Sequence, residues 1–151
     1  MCEEPGLGLR MPWPSVRVPG RRELPREREV GTAVVEAALA VHRELGPGLL
    51  ETVYTRVLAH ELTSRGWRVE VGRPIPVHYK DLRIEEGFRA DLLVGGCVLV
   101  ELKSVECLAR VHHKQVLTYL RLSGCRLGYL INFGAAYLKE GLVRVVNGLP
   151  D

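Results

Sequence analysis

The chain lacks the features that define several large classes of protein. No apolar run approaches the ~20 residues needed to cross a bilayer, and the N-terminus has no continuous apolar core of the kind found in signal peptides. The four cysteines form no C-x-x-C pair and show no regular zinc-ligand spacing. No zinc-finger, helix-turn-helix or RNA-binding signature is present. We therefore expect a cytoplasmic protein that does not bind membranes, has reduced thiols and carries no module for reading a nucleic-acid sequence.

The chain also lacks a strong excess of either charge. It has 21 Lys and Arg residues against 18 Asp and Glu residues, which gives a formal net charge of +3. This balance permits a nucleic-acid partner but does not by itself indicate one. A length of 151 residues fits a single domain, and an apolar fraction of 46% is sufficient for a hydrophobic core.

Residues 1–27 differ in composition from the rest of the chain. They contain five prolines and scattered arginines, and they show no apolar periodicity. Such a composition disfavours both helix and sheet. We expect a poorly ordered tail at 1–27 and a single domain over residues 28–151.

Helical periodicity begins near Glu29 and stops at Gly46-Pro47-Gly48. A second helix is predicted over residues 49–65, and Gly66 occupies the position of a C-terminal cap glycine. The two helices are therefore expected to form a helical hairpin. The apolar positions that carry this prediction are Val30, Val34, Ala37, Ala38, Val41 and Leu45 in the first helix, and Val53, Val57, Leu58 and Leu62 in the second.

After Gly66 the apolar period shortens to that of strands. Strands are predicted at residues 67–71, 75–79, 82–85, 88–94, 97–103, 126–133 and 142–146, with a third helix at 111–122. The order predicts an α/β (α+β) protein, in which a central mixed β-sheet is flanked by helices and preceded by the helical hairpin.

The hairpin around Gly95-Gly96 carries charges within otherwise apolar strands. A carboxylate in such a strand costs several kcal/mol to desolvate unless it is paired or binds a metal. A two-residue loop would place Asp91 and Glu101 on opposite faces of the sheet, whereas a three-residue loop pairs Val94 with Val98 and brings the two acids together. We therefore predict an odd-length loop or a bulge, with Lys103 on the same face as Glu101.

Several separated motifs resemble those of one nuclease family. The spacing Asp–(nine residues)–Glu-Leu-Lys resembles the signature of the PD-(D/E)XK nuclease superfamily, and residues 48–54 (GLLETVY) match the G-x-x-E-x-x-Y motif that names its GxxExxY branch. Residues 44–48, 87–91, 100–103 and 132–134 also resemble that family, so the resemblance extends over about residues 29–147. It implies a restriction-endonuclease-like core.

The resemblance also implies a catalytic site that uses a metal ion. In this interpretation Asp91 and Glu101 hold Mg²⁺, for which Mn²⁺ can substitute, together with the Leu102 carbonyl. Lys103 then positions a water or stabilises charge on the phosphate. Glu51 is the acid carried by a helix, and it touches the metal directly or through water. The residues that are catalytic by resemblance are Glu51, Asp91, Glu101, Lys103 and Gln115.

The same resemblance suggests contacts with nucleic acid. Gln115 and Tyr119, which lie one turn apart on the third helix, resemble a Q-x-x-x-Y element that contacts nucleic acid or orients the catalytic lysine. The further candidates for nucleic-acid contact are Tyr54, Arg89, His112 and Lys114.

Each assignment has a purely structural alternative. Glu51 is equally an acid favoured by the dipole at a helix start, and Tyr54 a core aromatic residue with a bonded hydroxyl. Arg89 lies on the strand face of Asp91, where it would bind phosphate or neutralise that acid. The pairs Glu101–Lys103 and Asp91–Arg89 could be surface ion pairs of little energetic value. Gln115 and Tyr119 fit a plain amphipathic helix, and His112 and Lys114 fit an exposed helix start.

The sequence thus favours a Mg²⁺-dependent nuclease that hydrolyses phosphodiester bonds of DNA or RNA, with DNA preferred and a homodimer as one arrangement. The alternative is a catalytically silent protein of the nuclease fold that binds nucleic acid or another protein. A hydrolase acting on a small phosphate compound is a minor third hypothesis.

Overall fold

The computed structural model describes residues 25–148, so the predicted tail lies almost entirely outside the described residues. The first helix begins at Pro25, a residue well suited to the first turn of a helix. The elements are α1 (Pro25–Leu45), α2 (Glu51–Ser64), β1 (Val69–Tyr79), β2 (Leu82–Val94), β3 (Val98–Lys103), α3 (Arg110–Ser123), β4 (Leu127–Asn132), α4 (Leu138–Gly141) and β5 (Leu142–Val146).

The five strands form one mixed sheet in the order β1-β2-β3-β4-β5. Neighbouring strands are antiparallel except β3 and β4, which are parallel and are joined through α3. This connection agrees with the rule that parallel neighbours need a long crossover. The prediction of a mixed sheet with flanking helices is confirmed.

Helices cover both faces of the sheet. The first core lies between α1, α2 and one face, and the second lies between α3 and the other face. Since side chains alternate along β3, Val98, Val100 and Leu102 belong to the first core, whereas Leu99 belongs to the second. Glu101 and Lys103 therefore lie on the α3 face.

The structure corrects the predicted break in the first hairpin. Residues 67–71 and 75–79 were predicted as separate strands around Gly72-Arg73-Pro74, but β1 runs without interruption from Val69 to Tyr79. Because β1 is an edge strand, Pro74 and Pro76 can be accommodated without the backbone N–H that a central strand would need. Residues 82–85 and 88–94 likewise belong to one strand, β2. The pairing of β2 with β1 changes register between Ile75 and Val77 of β1.

Two further predictions about local structure need correction. Val53, predicted on the apolar side of α2, is 36% exposed, and the buried stripe of α2 consists of Tyr54, Leu58 and Leu62. The short helix α4 was not predicted, since four residues give too little periodicity to recognise.

Two of the described cysteines, Cys97 and Cys125, are free thiols, as expected. Within residues 25–148, no helix has the length and apolar character needed to cross a bilayer.

The turn between β2 and β3 has the predicted three-residue loop. Val94 pairs with Val98, and the Cys97 N–H donates to the Val94 carbonyl at 3.1 Å. Gly95 and Gly96 both have left-handed backbone conformations, with φ of 60° and 70°. This register is the one that brings Asp91 opposite Glu101.

Gly95→Ala should destabilise the protein more than Gly96→Ala. At either position alanine would have to adopt the left-handed backbone conformation, which costs ~1–2 kcal/mol of unfolding free energy. A Cβ at Gly95 would also lie 2.9 Å from Cγ2 of the buried Val30, whereas a Cβ at Gly96 meets nothing within 4 Å. We expect this crowding to add about 1–3 kcal/mol to the loss of unfolding free energy. Urea denaturation of both variants measures the difference, and equal losses would contradict the packing argument.

Candidate active site

The two acids meet where backbone pairing between β2 and β3 ends. The antiparallel register runs from Val94 and Val98 to Leu92 and Val100 and goes no further. Beyond this point the Asp91 N–H donates to Oε1 of Glu101 at 3.2 Å, and the Leu102 N–H donates to Oδ2 of Asp91 at 2.9 Å. Each carboxylate thus accepts a hydrogen bond from the backbone of the opposite strand.

Glu101 is an unusual carboxyl group because it is only 7% exposed. Burial and the neighbouring charge of Asp91 raise the pKa of Glu101 from its ordinary value of 4.5 to about 8. A hydrogen bond from the Asp91 backbone and the charge of Lys103 act in the opposite direction. Two carboxyl groups held this closely in a partly dry site favour the binding of a positive charge.

Glu51 and Lys103 complete the acidic and basic groups of the site. Glu51 is the first residue of α2 and is partly buried. Burial raises its pKa, the charge of Lys103 lowers it, and the charge of Asp91 raises it. These mutual effects show that the three groups share one environment. Within residues 25–148, Lys103 forms no ion pair with Glu101, and Arg89 forms none with Asp91, so the surface ion-pair alternative is not supported.

A chain of contacts fixes α2 against the end of β3. The Ser104 backbone donates a hydrogen bond to Glu51, and Oγ of Ser104 donates to the Leu49 carbonyl at 2.6 Å. Tyr54 is fully buried, and its hydroxyl donates to the Gly46 carbonyl at 2.5 Å and accepts from the Leu49 N–H at 3.2 Å. The turn before α2 is therefore held on one side by Tyr54 and on the other by Ser104.

Residues 132–134 hold the segment that follows Lys103. Oδ1 of the buried Asn132 accepts from the N–H groups of Val105 and Gly134, both at 3.0 Å, and its Nδ2 donates to the Val105 carbonyl at 2.9 Å. The Phe133 N–H donates to the Lys103 carbonyl at 2.9 Å, and the Phe133 ring stacks on Tyr54 with centroids 4.6 Å apart. Sequence reasoning noted this motif but assigned it no role.

The helix α3 borders the same site. The ring of Tyr119 stacks on Phe88 with centroids 3.9 Å apart, and burial followed by the charges of Glu101 and Asp91 raises the Tyr119 pKa. Nδ1 of His112 accepts the Ala109 N–H at 3.0 Å. Burial and the charge of Lys103 lower the His112 pKa. Tyr119 and His112 therefore lie beside the catalytic candidates.

Gln115 and Lys114 are exposed on α3 and make no contact that ties them to the acids. Gln115 lies one turn from Tyr119, on the same side of the helix. Their assignment to catalysis and nucleic-acid binding stays a prediction.

The structure corrects one predicted nucleic-acid contact and one alternative role. Tyr54 cannot touch a ligand, because its side chain is fully buried and its hydroxyl is used within the protein, so the alternative of a core aromatic residue applies. Arg89 does not neutralise Asp91, since its guanidinium pairs with Glu86 and donates to the Gly72 carbonyl at 3.0 Å. Arg89 remains exposed, so contact with phosphate stays a prediction.

The donor set of the site fits a hard divalent cation. Among the described residues, no three His, Cys, Asp or Glu side chains form a ready metal-binding group. Glu51 is therefore not brought together with Asp91 and Glu101 as a direct third ligand, and contact through water stays a prediction. One or two carboxylates are nevertheless enough for Mg²⁺, which keeps several waters and binds substrate phosphate.

The mixed five-stranded sheet with flanking helices has the architecture of a restriction-endonuclease-like fold, and it carries two acids and a lysine on one face. The family model of the PD-(D/E)XK nuclease superfamily matches residues 28–145, which is most of the chain. The chain therefore belongs to this superfamily, whose members typically use divalent metal ions. No curated protein and no solved structure shows significant similarity to the chain.

Without a divalent cation, the unfolding free energy should fall as pH rises from about 5 to about 8. The unfolded chain ionises Glu101 near 4.5, whereas the folded protein keeps it protonated up to about 8. The contribution of Glu101 to the unfolding free energy is therefore fully present below pH 4.5 and is lost as the pH rises to about 8. Glu101→Gln should flatten this decline, as measured by urea denaturation in EDTA. An unchanged slope would contradict the assignment, and Glu140→Gln, at an exposed acid, is the control.

Tyr54→Phe should lower the unfolding free energy by about 1–3 kcal/mol. The substitution removes the hydrogen bonds to Gly46 and Leu49 but retains the stacking on Phe133. Tyr137→Phe is the matched control, because Tyr137 is 72% exposed, and its effect should stay within about 0.5 kcal/mol. Equal effects in denaturant titrations would show that the Tyr54 hydroxyl does not hold the turn.

Proposed function

We propose that the protein is a metal-dependent nuclease that hydrolyses phosphodiester bonds, with Mg²⁺ as the ion and DNA preferred over RNA. The observation that carries this proposal is the convergence of Asp91, Glu101 and Lys103 on one face where strand pairing ends. The raised pKa of Glu101 supports it, since a cation relieves the repulsion between the two acids. We further propose that residues 28–151 form the nuclease domain.

In this proposal each site residue has a separate task. Asp91 and Glu101 hold the cation together with the Leu102 carbonyl, and the cation supplies positive charge that polarises a phosphoryl oxygen and favours deprotonation of water. Lys103 donates hydrogen bonds to the phosphate and stabilises the charge that develops on it. Glu51 orients a water, and its position is fixed by the Ser104 backbone. His112 and Tyr119 border the substrate path from α3.

We also propose that the chain belongs to the GxxExxY branch. The three residues that define the motif, Gly48, Glu51 and Tyr54, each have a structural or chemical role. Gly48 has a φ of 105°, which side-chain-bearing residues rarely adopt. Glu51 belongs to the proposed site, and the Tyr54 hydroxyl holds the turn between them. The motif thus describes one structural unit that presents an acid.

Lys103→Ala should reduce cleavage by about 10²- to 10³-fold, because it removes a charge that stabilises the transition state. Purified protein is incubated with single- and double-stranded DNA and RNA in Mg²⁺ or Mn²⁺, with EDTA as the metal-free arm. Lys139→Ala, at an exposed lysine on α4, is the matched control and should retain full activity.

The same experiment distinguishes the alternative function. If the wild-type protein cleaves no substrate but binds an oligonucleotide in fluorescence anisotropy, the catalytically silent binding module replaces the nuclease. Cleavage that persists in Lys103→Ala at the wild-type rate would contradict the proposed role of Lys103.

A further inference from the structure

A cleft of about 500 Å³ lies next to Glu51. It opens between residues 47–50, which precede α2, and residues 104–106, which follow β3, and Gly134 completes the lining. Glu51 belongs both to this cleft and to the proposed catalytic site, and Ser104, which follows Lys103 directly, also lines the cleft, so the cleft lies beside the proposed site. A larger cleft of about 690 Å³, bordered by α1 and Trp67, contains none of the proposed site residues.

Leu50 in this cleft breaks a local rule of helix formation. It occupies the N-cap position of α2 without a side-chain hydrogen bond to the helix, and it is 73% exposed. Ser, Thr, Asp or Asn at this position would stabilise the helix by about 1 kcal/mol. The neighbouring Leu49 is 40% exposed. An exposed apolar residue in place of a cap, beside a catalytic acid, is typical of a position kept for function at the expense of stability.

The cleft offers a phosphate no cationic side chain among the described residues that line it. The exposed Leu49 and Leu50 instead offer an apolar surface, which suits the uncharged parts of a nucleotide. The basic and aromatic groups of α3 lie instead around Lys103 and Glu101.

We propose that this cleft binds the nucleobase and sugar next to the scissile phosphate, with Leu50 as the principal apolar contact. The inference rests on the proposed nuclease function and adds a substrate class to it. A base that enters the cleft has left the stack of a duplex, so the substrate is single-stranded or unpaired at the cleavage position.

The test compares a base-bearing with a base-free ligand. Fluorescence anisotropy measures binding of a labelled oligothymidylate and of an abasic oligomer with the same number of phosphates, in Ca²⁺ and again in EDTA. Gel electrophoresis checks that each ligand stays intact. Leu50→Ser should fold, because serine is a favoured N-cap. We expect it to weaken oligothymidylate binding about five- to tenfold and to change abasic binding by less than about twofold.

Leu82→Ser is the matched control, because Leu82 is 55% exposed and does not line the cleft. It should leave the binding of both ligands unchanged. The nucleobase subsite is overturned if Leu50→Ser weakens both ligands equally, or if the wild-type protein binds both ligands alike and Leu50→Ser changes neither. Absence of binding to either ligand in both buffers would instead contradict the proposed nuclease function.

Discussion

Backbone pairing between β2 and β3 stops after Leu92 and Val100, and the carboxylates of Asp91 and Glu101 accept the hydrogen bonds that follow. At this position two hydrogen bonds from backbone N–H groups to carboxylates therefore replace the regular backbone pairing, and they hold the two acids opposite each other. Neither acid could be kept there by an ordinary ladder, because the opposing N–H groups would be used by carbonyls. Burial then makes the pair costly to ionise without a cation, which couples the stability of the fold to the chemistry of the site.

A second network carries this arrangement from the sheet to the helices. Phe133 bonds to the Lys103 backbone and stacks on Tyr54, while Asn132 holds Val105. Tyr54 and Ser104 both form hydrogen bonds to the turn before α2. A change in any of these contacts would alter the position of Glu51 relative to Lys103, although none of the four side chains belongs to the proposed catalytic set.

The site is also where the sequence departs from the rules that stabilise the rest of the protein. A buried Glu101 and an uncapped, exposed Leu50 lie within the same region, whereas both cores are filled by ordinary apolar residues. Natural proteins tolerate such departures where function requires them. Under the proposed function the two departures have complementary roles, since Glu101 helps to hold a cation and Leu50 offers an apolar surface to the neighbouring base.

The sequence by itself determined the mixed sheet with flanking helices. Side-chain alternation is set by covalent geometry, so the sequence also showed that the relative faces of Asp91 and Glu101 depend on the length of the loop at Gly95-Gly96, and the structure has the expected three-residue loop. Only the tertiary structure decided that Tyr54 is buried and stacked on Phe133. It also revealed the role of Asn132, which holds a segment 27 residues away. These outcomes depend on contacts between elements distant in sequence, which no local periodicity encodes.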